Sequence, residues 1–192
     1  VHTLVTQNVD GLHQQAGAVD VEELHGGLDV VDCLACSTEL TRAALQDLMA
    51  ADNPDYLRAV TAGGGVEVRP DGDVVLADRD LSRFMPPTCP VCGADVLKPK
   101  VVFFGGSVPR DQVARCFAAV EAARSVLVLG SSLAVMSGLR FVRRAAALGR
   151  PVAIVTRGWC RGDEYATLRL DADLTPVLTN LVWDLDRRPS PP

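Results

Sequence analysis

Cys33-x-x-Cys36 and Cys89-x-x-Cys92 constrain this chain more than any other feature. Each C-x-x-C turn aims two sulfurs at one point. Two such turns complete a tetrahedral four-sulfur site of the kind that holds zinc. Redox-active C-x-x-C is the rival reading, but two copies flanking turn-rich sequence favour zinc. Four thiolates leave no open coordination position, so the expected ion is structural. Residues 37–88 must then loop out of the metal module. Within that loop, 38–50 reads as a helix with Leu40, Ala44, Leu45 and Leu48 on one face. Residues 51–88 carry Asn53-Pro54, Gly63-Gly64-Gly65, Asp71-Gly72 and Pro86-Pro87, which are turn signals, with room for short strands at 66–69 and 73–76. Six cysteines in 192 residues are too few for a disulfide scaffold. Paired thiols of this kind suit a reducing, cytoplasmic compartment. Cys116 lies on an apolar helix face and reads as core; Cys160 sits in a polar loop with no assigned role.

The rest of the chain alternates apolar strands with helices. Strands are expected at 2–6, 29–32, 101–106 (VVFFGG, buried), 125–132, 151–156 and 167–170. Helices are expected between Gly11 and Gly17, over 109–124, over 136–149 and over 174–186. Helix, apolar strand, helix, apolar strand is the rhythm of a parallel sheet covered on both faces. The fold class is therefore α/β, a Rossmann-like parallel sheet with a small zinc-binding module. Hydrophobic content of 48% is enough for a core, and the net charge of −5 argues against a nucleic-acid grip. There is no apolar run of about 18 residues, so no membrane span is expected, and no leader segment is read.

In such a sheet, ligands are held at the carboxyl ends of the strands. Three ends carry polar or small residues: Thr6–Asp10, Gly130–Ser132 and Thr156–Gly158. Small residues at 130–132 would let backbone N–H groups and hydroxyls approach a phosphate or ribose. No G-x-G-x-x-G follows a strand. His25 is one of three histidines; Gly26 and Gly27 after it would leave space against a ligand.

Taken in order, these motifs resemble the sirtuin family of NAD-dependent protein deacylases. TQNVDGLH (6–13), ELHG (23–26), the paired C-x-x-C, VVFFGG (101–106), GSSL (130–133) and TRG (156–158) carry the resemblance, over about residues 3–185. RGDE (161–164) and the long loop between the cysteine pairs look most like the class with mitochondrial and bacterial lysine deacylases. The resemblance implies NAD and Zn2+ as cofactors and an acylated-lysine protein or peptide as substrate. His25 would be the general base. Gln7 and Asn8 would contact the nicotinamide ribose, and Val9 and Asp10 would line the carboxamide pocket. Gly130, Ser131 and Ser132 would hold the phosphates and adenosine ribose. Thr156, Arg157 and Gly158 would flank that ribose, with Leu174 near adenine. Val102, Phe103 and Phe104 would line the acyl-lysine tunnel, with Gly105 and the 134–136 segment pairing with the substrate backbone. Cys33, Cys36, Cys89 and Cys92 would bind the metal.

The chain also departs from the family pattern. Thr156 stands where Asn is usual, and Gly106 where Glu is usual. Sirtuins open with a strand, a G-A-G-I-S turn and an Arg-bearing cofactor loop, and none precedes TQNVD here. The Rossmann-like sheet is thus expected to be incomplete at its N-terminus, with unpaired edges near Thr3–Thr6 and Val126–Leu129. The expected organisation is a Rossmann-like part over 1–32, a zinc-binding module over 33–100, a second Rossmann-like part over 101–186 and a tail over 187–192. Intact His25 and TQNVD favour an NAD-dependent deacylase. The departures leave open a catalytically impaired, zinc-stabilised NAD-binding or scaffold protein of the same fold. Neither nucleic acid nor membrane is expected as a partner.

Overall fold

The computed structural model describes residues 2–56, 58 and 84–187. The strands expected at 66–69 and 73–76 lie outside the described residues. In chain order the described elements are β1 (Leu4–Thr6), α1 (Leu12–Gln15), β2 (Val21–Glu23), β3 (Gly26–Cys33), β4 (Glu39–Thr41), α2 (Arg42–Asp52), β5 (Leu97–Val101), α3 (Arg110–Ala122), β6 (Val126–Leu129), α4 (Met136–Ala147), β7 (Val152–Val155), a 3-10 turn (Asp163–Tyr165), β8 (Leu168–Leu170) and α5 (Leu174–Asp186). They group into two compact units, one made of Val1–Gln7, His13–His25 and Val102–Pro192, the other of Asn8–Leu12 and Gly26–Val101.

The first unit is built on parallel pairing. β1 pairs with β2 in the register Leu4↔Val21 to Thr6↔Glu23. β6, β7 and β8 form a second parallel sheet with β7 central. The β7 sequence VAIV is apolar throughout, and Val152 and Ile154 are fully buried, as a strand covered on both faces requires. Helix α3 adds Cys116 and Val120 to this core, and α4 adds Leu139, Phe141, Val142 and Ala145. The rings of Phe117 and Phe141 meet edge to face at 5.0 Å. Among the described residues, β1 pairs with β2 alone and β6 with β7 alone. β1 and β6 are thus end strands of their described sheets, the strands in which the sequence expects edges.

The second unit is an antiparallel sheet in the order β4-β3-β5. Three expectations change here. The helix expected over 38–50 begins at Arg42, because Glu39–Thr41 is drawn into pairing with β3 through Val31↔Leu40 and its neighbours. Thr41 then caps the helix, its Oγ1 accepting the Ala44 N–H at 3.1 Å. The buried strand expected at 101–106 is instead Leu97–Val101. The ladder ends there because Val101 already faces Gly26, the first residue of β3. Beyond it, the Gly106 N–H closes a turn on the Phe103 carbonyl at 2.8 Å, and Phe103 and Phe104 are exposed.

The third change concerns Gly26. Its small size makes room for backbone, not for a ligand. It has φ +75°, and a Cβ there would sit 1.9 Å from the Lys100 carbonyl oxygen. Gly26→Ala should therefore cost at least about 2 kcal/mol, from left-handed strain together with backbone overlap. A denaturation midpoint equal to that of the parent chain would show that β3 and β5 do not approach this closely.

Candidate functional site

In the first unit, parallel strands deliver their following residues to one end of each sheet. β1 delivers Gln7, and the Leu24 N–H bonds the Thr6 carbonyl at 2.9 Å, which brings His25 alongside. His25 Nδ1 lies 3.1 Å from the Gln7 carbonyl oxygen, and its Nε2 lies 3.0 Å from Ser137 Oγ. Gln7 Nε2 donates to the same Ser137 Oγ at 3.1 Å, while Gln7 Oε1 accepts from Ser131 Oγ at 3.3 Å. Ser131 Oγ in turn accepts the Leu133 N–H at 3.2 Å. Gln7, His25, Ser131 and Ser137 thus form one hydrogen-bonded network. Sequence reasoning named the first three and missed Ser137. The available signal was the Ser137-Gly138 pair opening α4, where small residues give a neighbour room.

The GSSL turn is tightly built. Leu133 is buried with φ +50°, a strained conformation for a bulky residue. The Gly130 N–H bonds the Val155 carbonyl at 2.9 Å, and a Cβ on Gly130 would meet Leu174 Cδ1 at 2.7 Å. Gly130 and Leu174 are therefore neighbours. Ser132 is exposed, and its carbonyl accepts the Arg161 N–H at 2.8 Å.

Thr156, Arg157 and Gly158 follow β7. Thr156 is buried, Arg157 pairs with exposed Asp173 at 2.7 Å, and the Gly158 N–H bonds Asp171 Oδ1 at 3.0 Å. Arg169, which sequence reasoning also missed, clamps this loop. Its guanidinium donates to the carbonyls of Thr156 and Gly158 and pairs with Asp163 at 2.7 Å. Burial opposes ionisation of Asp163, but the Arg169 guanidinium and the Cys160 N–H outweigh it and hold the carboxyl below its usual range. Among the substrate residues expected, the Val102 N–H bonds the His25 carbonyl at 2.8 Å, while Gly105 turns the chain at φ +86°.

In the second unit, the Val9 carbonyl accepts the Leu28 N–H at 3.0 Å, and Asp10 Oδ1 accepts the Leu12 N–H at 3.0 Å. Asn8 is exposed. Cys33, Cys36, Cys89 and Cys92 place their sulfurs within 4.8 Å of one another. The Cys33–Cys92 and Cys36–Cys89 separations are 3.6 and 3.7 Å. A tetrahedron with zinc–sulfur bonds of about 2.3 Å has edges of about 3.8 Å, so the donor set fits zinc.

The electrostatics of the cluster point the same way. The Thr38 hydroxyl, 3.2 Å from Cys36 Sγ, helps draw that thiol down to about 6. At Cys92 a backbone N–H bond at Ala94 pulls downward, but the neighbouring Cys36 sulfur and desolvation push the thiol up to about 12. One thiolate thus resists the next, and a divalent cation would remove that resistance.

The two turns share one backbone design. Ser37 N–H to Cys33 O and Gly93 N–H to Cys89 O are both 2.8 Å, and the return bonds, Cys33 N–H to Thr38 O and Cys89 N–H to Ala94 O, are 2.9 and 2.8 Å. The residue after the second cysteine is left-handed in each, with φ +59° at Ser37 and +75° at Gly93.

The model of the Sir2 family matches residues 1–137. The chain belongs to the Sir2 family. It is 49% identical over 185 residues to NAD-dependent protein deacetylase 1 of Streptomyces coelicolor, covering 96% of this chain and 60% of that protein. It is 44% identical over 187 residues to NAD-dependent protein deacetylase 1 of Mycobacterium avium, covering 97% and 65%. The chain therefore spans between 60 and 65% of the length of these curated relatives. In fold it is similar to the structure described as "Structure of Sir2Tm bound to a propionylated peptide", with a TM-score of 0.75, 24% identity and coverage of 98% of this chain and 65% of that one. The Rossmann-like α/β fold is thus that of sirtuins, as the ordered motifs implied. Among the described residues of this sirtuin, no helix is long and apolar enough to cross a membrane.

The matched cysteine turns carry one local strain. Ser37→Gly should stabilise the chain by about 0.5–1 kcal/mol by relieving a left-handed non-glycine residue. Gly93→Ala should destabilise by about 1 kcal/mol, conformationally alone, since nothing lies within 4 Å of the added Cβ. Opposite shifts of thermal midpoint in the two variants check this; shifts of the same sign would contradict the shared design.

Proposed function

We propose that this chain supplies the catalytic base, the nicotinamide side and the structural metal of an NAD-dependent protein-lysine deacylase. The observation that carries the reading is His25, held through both ring nitrogens at a strand end beside Gln7. His25 is the general base that removes a proton from a ribose hydroxyl of the cofactor. NAD, when bound, supplies the electrophilic ribose carbon that accepts the acyl-lysine oxygen as nicotinamide leaves. Gln7 and Asn8 orient the nicotinamide ribose, and Val9 and Asp10 receive the carboxamide. Gly130, Ser131 and Ser132 hold the phosphates and adenosine ribose. Thr156, Arg157 and Gly158 flank that ribose, and Leu174 lies against adenine. Val102, Phe103 and Phe104 line the acyl-lysine path, and Gly105 pairs with the substrate backbone as in strand addition. The weak acyl oxygen reacts only when held close and dry, which the apolar 102–104 stretch supports. With one water consumed, the acyl group ends on a ribose hydroxyl of ADP-ribose, and nicotinamide and free lysine are released. A neutral imidazole suits this step near neutral pH. The reduced cysteine pairs support a cytoplasmic setting.

Zinc is held by Cys33, Cys36, Cys89 and Cys92 in a closed, structural site. Chain purified without chelator should contain one zinc per chain. The Cys89→Ser, Cys92→Ser double variant should lose it together with cooperative unfolding of the antiparallel unit. Unchanged zinc content in that variant would overturn the assignment.

The deacylase reading is tested by nicotinamide release from NAD with an acetyl-lysine peptide. The assay uses the chain itself and the chain joined to a family strand, Gly-rich turn and Arg loop. His25→Ala should lower release by about 10²–10⁴-fold with zinc content intact. Absence of release in both forms, or full release by His25→Ala, would overturn it.

A further inference from the structure

We propose that Ser137 is a positioning residue that holds His25 in a single tautomer, with the basic lone pair on Nε2. The proposal rests on the reading of His25 as the base, but its first test does not depend on turnover. The argument is one of donors and acceptors. A carbonyl oxygen only accepts, so the contact between His25 Nδ1 and the Gln7 carbonyl places the ring proton on Nδ1. The neutral ring then offers a lone pair at Nε2, and the group facing it at 3.0 Å is the Ser137 hydroxyl, which must donate. Gln7 fixes that direction, because its amide nitrogen donates to Ser137 Oγ at 3.1 Å and so leaves the hydroxyl hydrogen for His25. The far end is equally ordered. Ser131 Oγ takes the Leu133 N–H and passes its own hydrogen to Gln7 Oε1. Every link from the Leu133 N–H to His25 Nε2 therefore runs one way.

Two further facts set Ser137 apart from an ordinary helix-start serine. The N-cap of α4 is Val135, and no side chain caps that helix, so the Ser137 hydroxyl is not employed in capping. Gly138 beside it keeps the space that Gln7 occupies: a Cβ there would press on the Gln7 carboxamide at 3.3 Å. The Ser-Gly pair thus places a hydroxyl on the imidazole and admits the amide that orients it. A base whose lone pair is held at Nε2 can take a proton there, once the ribose hydroxyl replaces the Ser137 hydroxyl, without first exchanging tautomers.

The test is nitrogen-15 NMR of the imidazoles of the full 192-residue chain at about pH 9, above the ordinary imidazole range. In the parent chain His25 should show a protonated Nδ1 and an unprotonated, hydrogen-bonded Nε2, while exposed His2 should average two tautomers. Ser137→Ala should move the Nε2 resonance toward that of an unbonded nitrogen, and Ser137→Thr, which keeps the hydroxyl, should restore it. Unchanged His2 and His13 resonances in the variants show that the fold has survived. A protonated Nε2 in the parent, or an Nε2 resonance indifferent to Ser137→Ala, overturns the proposal. In the turnover assay, Ser137→Ala should lower kcat about tenfold with little change in KM for NAD, and Ser137→Thr should recover it. Unchanged kcat in an enzyme that needs His25 overturns the positioning role. An enzyme that does not need His25 overturns the deacylase reading instead, and the NMR result then stands alone.

Discussion

Parallel strands place the residues that follow them at one end of their sheet, and the candidate site depends on that pairing. β1 against β2, in the register Leu4↔Val21, carries Gln7 to the level of His25 although 18 positions separate them. A slip of one residue would turn every side chain to the opposite face and part the two. β6 and β7 do the same for Gly130 and Thr156, whose loops are tied by the Gly130 N–H to Val155 carbonyl bond. The buried apolar row of Val152 and Ile154 keeps this register, because exposing it would cost several kcal/mol.

The antiparallel unit solves a different problem. It has to bring two cysteine turns, far apart in sequence, to one point. β3 ends in Cys33, and β5 begins shortly after the second turn, so pairing of β3 with β5 through Cys33↔Leu97 fixes one turn against the other. The first cysteine of each turn, Cys33 and Cys89, is buried, while Cys36 and Cys92 are exposed. The four sulfurs lie within 4.8 Å of one another. The same closeness is what a tetrahedral cation requires.

Much of the candidate site was legible in the sequence because its members sit in short local motifs. The cysteine turns, the GSS and TRG strand ends and the histidine before two glycines can each be found by spacing. What escaped notice came from partners distant along the chain. Ser137 is 112 positions from His25, and Arg169 reaches back across β7 to Thr156. Gly26, followed by Gly27, suggests room for a ligand, yet its neighbour is the Lys100 carbonyl, a fact of strand approach that no local pattern records. VVFFGG has the composition of a buried strand, but β3 offers it no partner beyond Gly26. Apolar content alone cannot say where a ladder stops.

The sequence by itself determined the α/β alternation, the four sulfur donors and the polar strand ends, because periodicity, ligand type and turn chemistry are local properties. Tertiary structure alone decided which strand ends meet, which glycine is filled by backbone and which hydroxyl faces the imidazole. Those are consequences of register and crossover, and register is set by the burial of whole strand faces together rather than by any residue's neighbours in the chain.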